Sequence, residues 1–125
     1  MTTGPLSSRQ LANMQRLFAT PFADIYPLYV TKVQRKNRSE SELRTVLSWL
    51  TGLDGTQLDL AISSGESLQE FFERVHVHPN SVLITGMVCG VKVQDVEDPL
   101  MRNIRYMDKL VDELAQGKAI ENILR

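Results

Sequence analysis

A mostly α-helical single domain with a long C-terminal helix is what the sequence predicts, and three patterns carry that prediction. Apolar residues repeat at spacings of three and four along most of the chain. Ser or Asp residues of the N-cap type precede several of these stripes, and glycines stand where stripes end. A length of 125 residues with 42% hydrophobic and 23% charged residues suits one domain that buries its own core. The alternative is an α+β fold in which segment 82–96 forms a small hairpin.

Residues 1–9 are polar, contain Gly4 and Pro5, and read as a flexible tail, leaving 10–125 as the helical domain. Leu11, Met14 and Phe18 make a short first stripe that Thr20 and Pro21 interrupt. Phe22, Ile25, Tyr26, Tyr29 and Val33 give a second helix reaching about Lys36, with Pro27 close enough to its start to be tolerated. Ser39 and Glu42 form a capping box for a third, whose Leu43, Val46, Leu47 and Leu50 run to Gly52. Two shorter helices follow, one over 57–62 and one opened by Ser67 with Glu70 and faced by Leu68, Phe71, Phe72 and Val75.

Segment 76–80 reads as a loop, and segment 82–96 is ambiguous. It is rich in β-branched residues, yet Gly86 and Gly90, four apart, suit a buried helix that another backbone approaches closely. The helix is preferred because no other segment offers a strand as a sheet partner. Asp98 and Pro99 then start the longest helix, striped by Leu100, Ile104, Met107, Val111 and Leu114 up to Gly117. Ala119, Ile120, Ile123 and Leu124 suggest a final short helix packed back on the body.

The same residues narrow the function classes. The longest apolar run, 82–91, falls well short of the roughly 20 residues a membrane-spanning helix needs. The N-terminus has no secretory pattern, and one cysteine cannot form an internal disulfide, so a cytoplasmic protein off the membrane is expected. A net charge of -1 provides no overall field for nucleic acid.

Two charged groups are the candidate sites. Asp95 and Asp98 with Arg102 and Arg105 are the candidate lining of a ligand pocket, against the plainer reading of helix-start electrostatics with an Asp98–Arg102 pair. Lys32, Arg35, Lys36 and Arg38 are a candidate anion patch at the turn between the second and third helices, against the reading of a solvated helix end. Glu40 and Glu42 open the following helix with the wrong sign for DNA phosphates. Cys89 reads as a small buried hydrophobe rather than a nucleophile. His76 and His78 are two imidazoles where a metal site needs more, so neither a metal nor a cofactor is expected. No phosphate loop, zinc spacing or serine elbow is present.

From about Phe18 to Arg125 the chain resembles a family of small bacterial proteins catalogued as a domain of unknown function, number twenty-two hundred. The likeness lies in Thr20-Pro21-Phe22-Ala23, Tyr26-Pro27-Leu28-Tyr29-Val30, Trp49-Leu50-Thr51-Gly52 and Phe71-Phe72. It is strongest from Leu83-Ile84-Thr85-Gly86 through Val91 to Glu97-Asp98-Pro99-Leu100, then Ile104-Arg105-Tyr106, the run from Asp108 to Leu114, and Gly117-Lys118-Ala119. The resemblance implies no activity, substrate or catalytic residue.

The functional expectation is a helical module acting through self-association or a protein partner, which leans away from an enzyme. Trp49, Tyr26, Tyr29 and Tyr106 are the aromatics to inspect for an exposed patch, with core packing as the ordinary fate of each. The alternative is a small-molecule binder or enzyme with a polar pocket near 95–105. A weak nucleic-acid binder using the basic turn at 32–38 stands third.

Overall fold

The structure is a computed structural model that describes residues 6–125; most of the expected tail, residues 1–5, lies outside the described residues. Four helices begin on reciprocal capping boxes: α1 (Ser8–Ala19) on Ser7 with Gln10, α3 (Glu40–Thr51) on Ser39 with Glu42, α4 (Gly55–Ser64) on Asp54 with Gln57, and α5 (Leu68–Arg74) on Ser67 with Glu70. The first begins inside the segment expected to be tail, and α4 extends past the expected 57–62 because the Asp54 box starts it earlier. Between them α2 (Phe22–Gln34) runs through Pro27, whose ring lies on the exposed side. It stops short of Lys36, at a turn where Asn37 takes φ 62°.

Two corners of the chain are tied to each other. Phe22 N–H donates to Glu66 O at 2.9 Å and Leu68 N–H donates to Thr20 O at 2.8 Å, so Pro21, which has no amide hydrogen, sits opposite Ser67 in an isolated bridge. That bridge brings Phe22 onto Phe71, with ring centroids 4.4 Å apart and stacked. Phe71 meets Phe72 edge-on at 5.1 Å.

The longest element is α6 (Pro99–Ala115), with Asp98 Oδ1 accepting from Met101 N–H and Pro99 in the first turn, as the sequence predicts. Its buried face includes Met101, Ile104, Met107, Leu110, Val111 and Leu114. It packs against α2, α3, α5, the hairpin and the short α7 (Ile120–Ile123). Tyr26, Tyr29 and Tyr106 join the core, while Trp49 is half-buried and stacks on His78 at 4.3 Å. No helix among the described residues is long and apolar enough to cross a membrane.

Segment 82–96 is not the preferred helix. A 3-10 turn (Pro79–Leu83) leads to β1 (Met87–Val88) and β2 (Val91–Lys92), antiparallel with Met87 opposite Lys92 and Val88 opposite Val91, and a second 3-10 turn (Val93–Asp95) follows. The two turn residues, Cys89 at φ 51° and Gly90 at φ 78°, are both left-handed, which a right-handed helix cannot contain and a type I′ hairpin turn requires. The hairpin needs no third strand because α6 covers it: Ile84, Val88 and Val93 are buried in the common core. Cys89, at the tip, is exposed rather than buried.

The turn assignment predicts opposite effects at its two residues. Gly90→Ala places a Cβ on a left-handed residue and is expected to cost about 1 kcal/mol, lowering the melting temperature by about 4 °C. Cys89→Asn supplies a residue that tolerates this conformation and is expected to leave the melting temperature equal to or above the parent. Calorimetry on both variants checks this, and a Gly90→Ala protein as stable as the parent would contradict the turn.

Candidate functional site

On the flank of α6 next to α2 and the hairpin stand Arg105, Asp108, Lys109 and Asp112, whose spacing of three, four and seven puts them on one side of the helix. Asp108 is the hub. Tyr29 O–H on α2 donates to its Oδ1 at 2.6 Å, Arg105 Nη1 donates to its Oδ2 at 2.9 Å, and the Cys89 thiol lies 3.8 Å from the same Oδ2. Lys109 Nζ donates to the Met87 carbonyl at 3.0 Å, and Lys32 Nζ pairs with Asp112 Oδ1 at 3.2 Å. One helical turn of α6 thereby holds α2 on one side and the hairpin on the other.

The electrostatics of this cluster favour neutral donors. Burial pushes the Tyr29 phenol well above its usual 10.0, and the Asp108 carboxylate beside it adds to the shift. Burial also raises the Cys89 thiol, again reinforced by Asp108 and only partly offset by Arg105. A thiol held protonated is a poor nucleophile at neutral pH. Asp108 accepts from two strong donors, so it is arranged to position the elements that bring those donors rather than to move a proton.

The residues singled out by sequence are distributed differently. Asp98 is occupied as the N-cap of α6, and Arg102 does not pair with it; its guanidinium reaches back to the carbonyls of Val96 at 2.8 Å and Glu97 at 3.0 Å. The capping bond turns the Asp98 carboxylate toward the first-turn amides, which leaves the extended 96–97 backbone as the acceptor for Arg102. Asp95 is exposed on the second 3-10 turn, and Arg105 belongs to Asp108. Of the basic group, Arg38 donates to Leu114 O at 3.2 Å, to Lys118 O at 2.9 Å and to Glu42 at 3.0 Å, tying the end of α6 to the start of α3. Lys32 is paired with Asp112, and Arg35 and Lys36 are exposed with no ion pair among the described residues.

The two histidines are separated in role. His78 stacks on Trp49, and its Nδ1 accepts from Asn80 N–H at 3.0 Å; His76 is exposed. An open depression of about 570 Å³ lies elsewhere, between α3 and α4, and its lining includes Glu40, Arg44, Ser48 and Gly55 but none of the sequence candidates. There Tyr26 O–H donates to Glu40 at 2.6 Å, and Arg44 donates to Gly55 O at 2.9 Å and Asp59 at 2.8 Å. Sequence reasoning missed Asp108, Lys109 and the Tyr29 hydroxyl as a site. The available signal was the polar row 105, 108, 109, 112 beside the apolar stripe of α6.

Tyr29 makes a testable link between this cluster and stability. An unfolded tyrosine ionises near 10.0 and the folded one only at higher pH, so its contribution is complete below pH 10 and is lost as pH rises above it. Tyr29→Phe removes a hydrogen bond to a charged acceptor and is expected to cost about 1.5–3 kcal/mol at neutral pH. The variant should also lose less stability than the parent between neutral pH and about pH 10.5. Urea unfolding at the two pH values measures both effects, and parallel losses in parent and variant would contradict the assignment.

Comparison with known proteins places this geometry in a family without placing it in a reaction. No curated protein matches the chain. A solved crystal structure of an uncharacterized protein, SP1917, is 36% identical, superposes with a TM-score of 0.83, and is matched over 88% of this chain and 91% of that one. The family described as "Uncharacterized protein conserved in bacteria (DUF2200)" matches residues 16–125, which takes in every element from the last turn of α1 to α7, and the chain belongs to that family.

Proposed function

We propose that the protein works through association with protein rather than through catalysis, and that its docking face is segment 79–91. The observation that carries this reading is the concentration of exposed apolar side chains there: Val82 is 68% exposed, Leu83 56% and Met87 54%. Large apolar groups grouped on a surface are a common mark of an interaction site. The polar clusters support the same reading from the other side. Asp108, Arg105, Arg102, Arg38 and Lys109 are each engaged by partners within the fold, which leaves no free acid–base pair among them.

The ligand-pocket alternative near 95–105 has less support because Arg102 and Arg105 are both tied internally. Nucleic-acid binding at 32–38 retains only Arg35 and Lys36 as unpaired cations of its four among the described residues. Association is tested by placing a benzophenone amino acid at position 83 in the producing cell, with position 28 on α2, where Leu28 is 65% exposed, as the control. Discrete protein adducts from position 83 and none from position 28 are expected. Equal labelling at both positions, or none at 83, would end this reading.

A further inference from the structure

We infer that the partner on segment 79–91 is a second copy of this chain, docked about a two-fold axis; this rests on the association reading above and names its partner. The charge pattern argues for it. From 79 to 91 the sequence contains no Asp, Glu, Lys, Arg or His, although charged residues make up 23% of the chain. In a two-fold contact the same patch faces itself, so any charge near the axis meets its own like charge. A charge-free segment meets a second copy without that cost. A different partner is ordinarily selected by complementary charge, and this face offers none to complement.

Backbone geometry gives the segment an outward row. Along the run from Leu83 to Val88, Leu83, Thr85 and Met87 are exposed while Ile84 and Val88 are buried, the alternation of an extended chain covered on one side. Lys109 fastens the Met87 carbonyl and α6 covers Val88, so the row is presented on a fixed support rather than on a free loop. Methionine and aliphatic side chains without charge are the composition of an interface centre. The segment is shorter than the roughly 20 residues per side of a standard interface, so the dimer is expected in the micromolar range of dissociation constants.

Native mass spectrometry and light scattering on the purified full chain test this. A dimer is expected at tens of micromolar, and Leu83→Glu, which brings two carboxylates together near the axis, should raise its dissociation constant at least about a hundredfold. Leu28→Glu, on another exposed surface, should leave the dimer unchanged. Circular dichroism on both variants confirms an intact fold, and Met87→Glu provides an independent second disruption. The benzophenone adduct from position 83 should have twice the chain mass. A parent that stays monomeric at about 100 µM, or a dimer that survives both Leu83→Glu and Met87→Glu, overturns the second-copy assignment. If position 83 then still gives adducts of another mass, association stands and only the partner is wrong; if it gives none, both readings fall.

Discussion

The inward stripe of α6 is the surface on which the rest of this molecule is laid. Ile104, Met107, Leu110, Val111 and Leu114 are all at most 2% exposed, and they face residues from α2, α3, α5 and α7 in one continuous core. Each such side chain contributes roughly 1.5–3 kcal/mol when fully removed from water. Neighbouring elements depend on this cover in different degrees. The hairpin depends on it most, because two strands of two residues have no sheet to join and would be unstable alone.

Polar residues bordering the same stripe decide how those elements are oriented. Asp108 draws in the Tyr29 hydroxyl and Arg105, Lys109 fastens the hairpin, and the carbonyl of Leu114 receives Arg38 from the α2–α3 turn. Buried Glu113 receives both terminal nitrogens of Arg125 at 2.8 Å, and Asn80 Nδ2 donates to the Arg125 carbonyl, so the end of the described chain is drawn against the 3-10 turn. A buried carboxylate of this kind is strongly destabilising without its partner. The charges that would equip an active site are thus committed to holding the fold.

That commitment shapes the functional reading. A general acid or base needs a side chain able to exchange a proton with substrate, and a nucleophilic cysteine needs its thiolate. Asp108 is saturated by donors and the Cys89 thiol is held in its protonated form by burial and by that same carboxylate. What faces solvent beside them is apolar and uncharged. A surface of that composition lowers its free energy by being covered, which is why association is the function the geometry favours.

Local rules account for what the sequence could disclose. Capping boxes at Ser39 and Ser67, the Asp98-Pro99 start and the apolar stripe of α6 are interactions within a few residues, so the helices and most of the core were legible from spacing alone. The box at Asp54 was equally local and was overlooked. The hairpin was hidden because Cys-Gly is not a typical pair for a type I′ turn and because its supporting surface lies on a helix later in the chain. The Asp108 cluster was hidden for a related reason: Tyr29 and Asp108 are 79 positions apart, and no periodicity reports which polar residue of one helix meets another. By itself, then, the sequence determined the helical class, the helix starts and the charge-free segment 79–91. Only tertiary packing decided that this segment is a hairpin braced on α6 and that Asp108 joins three elements, because both depend on contacts between residues distant along the chain.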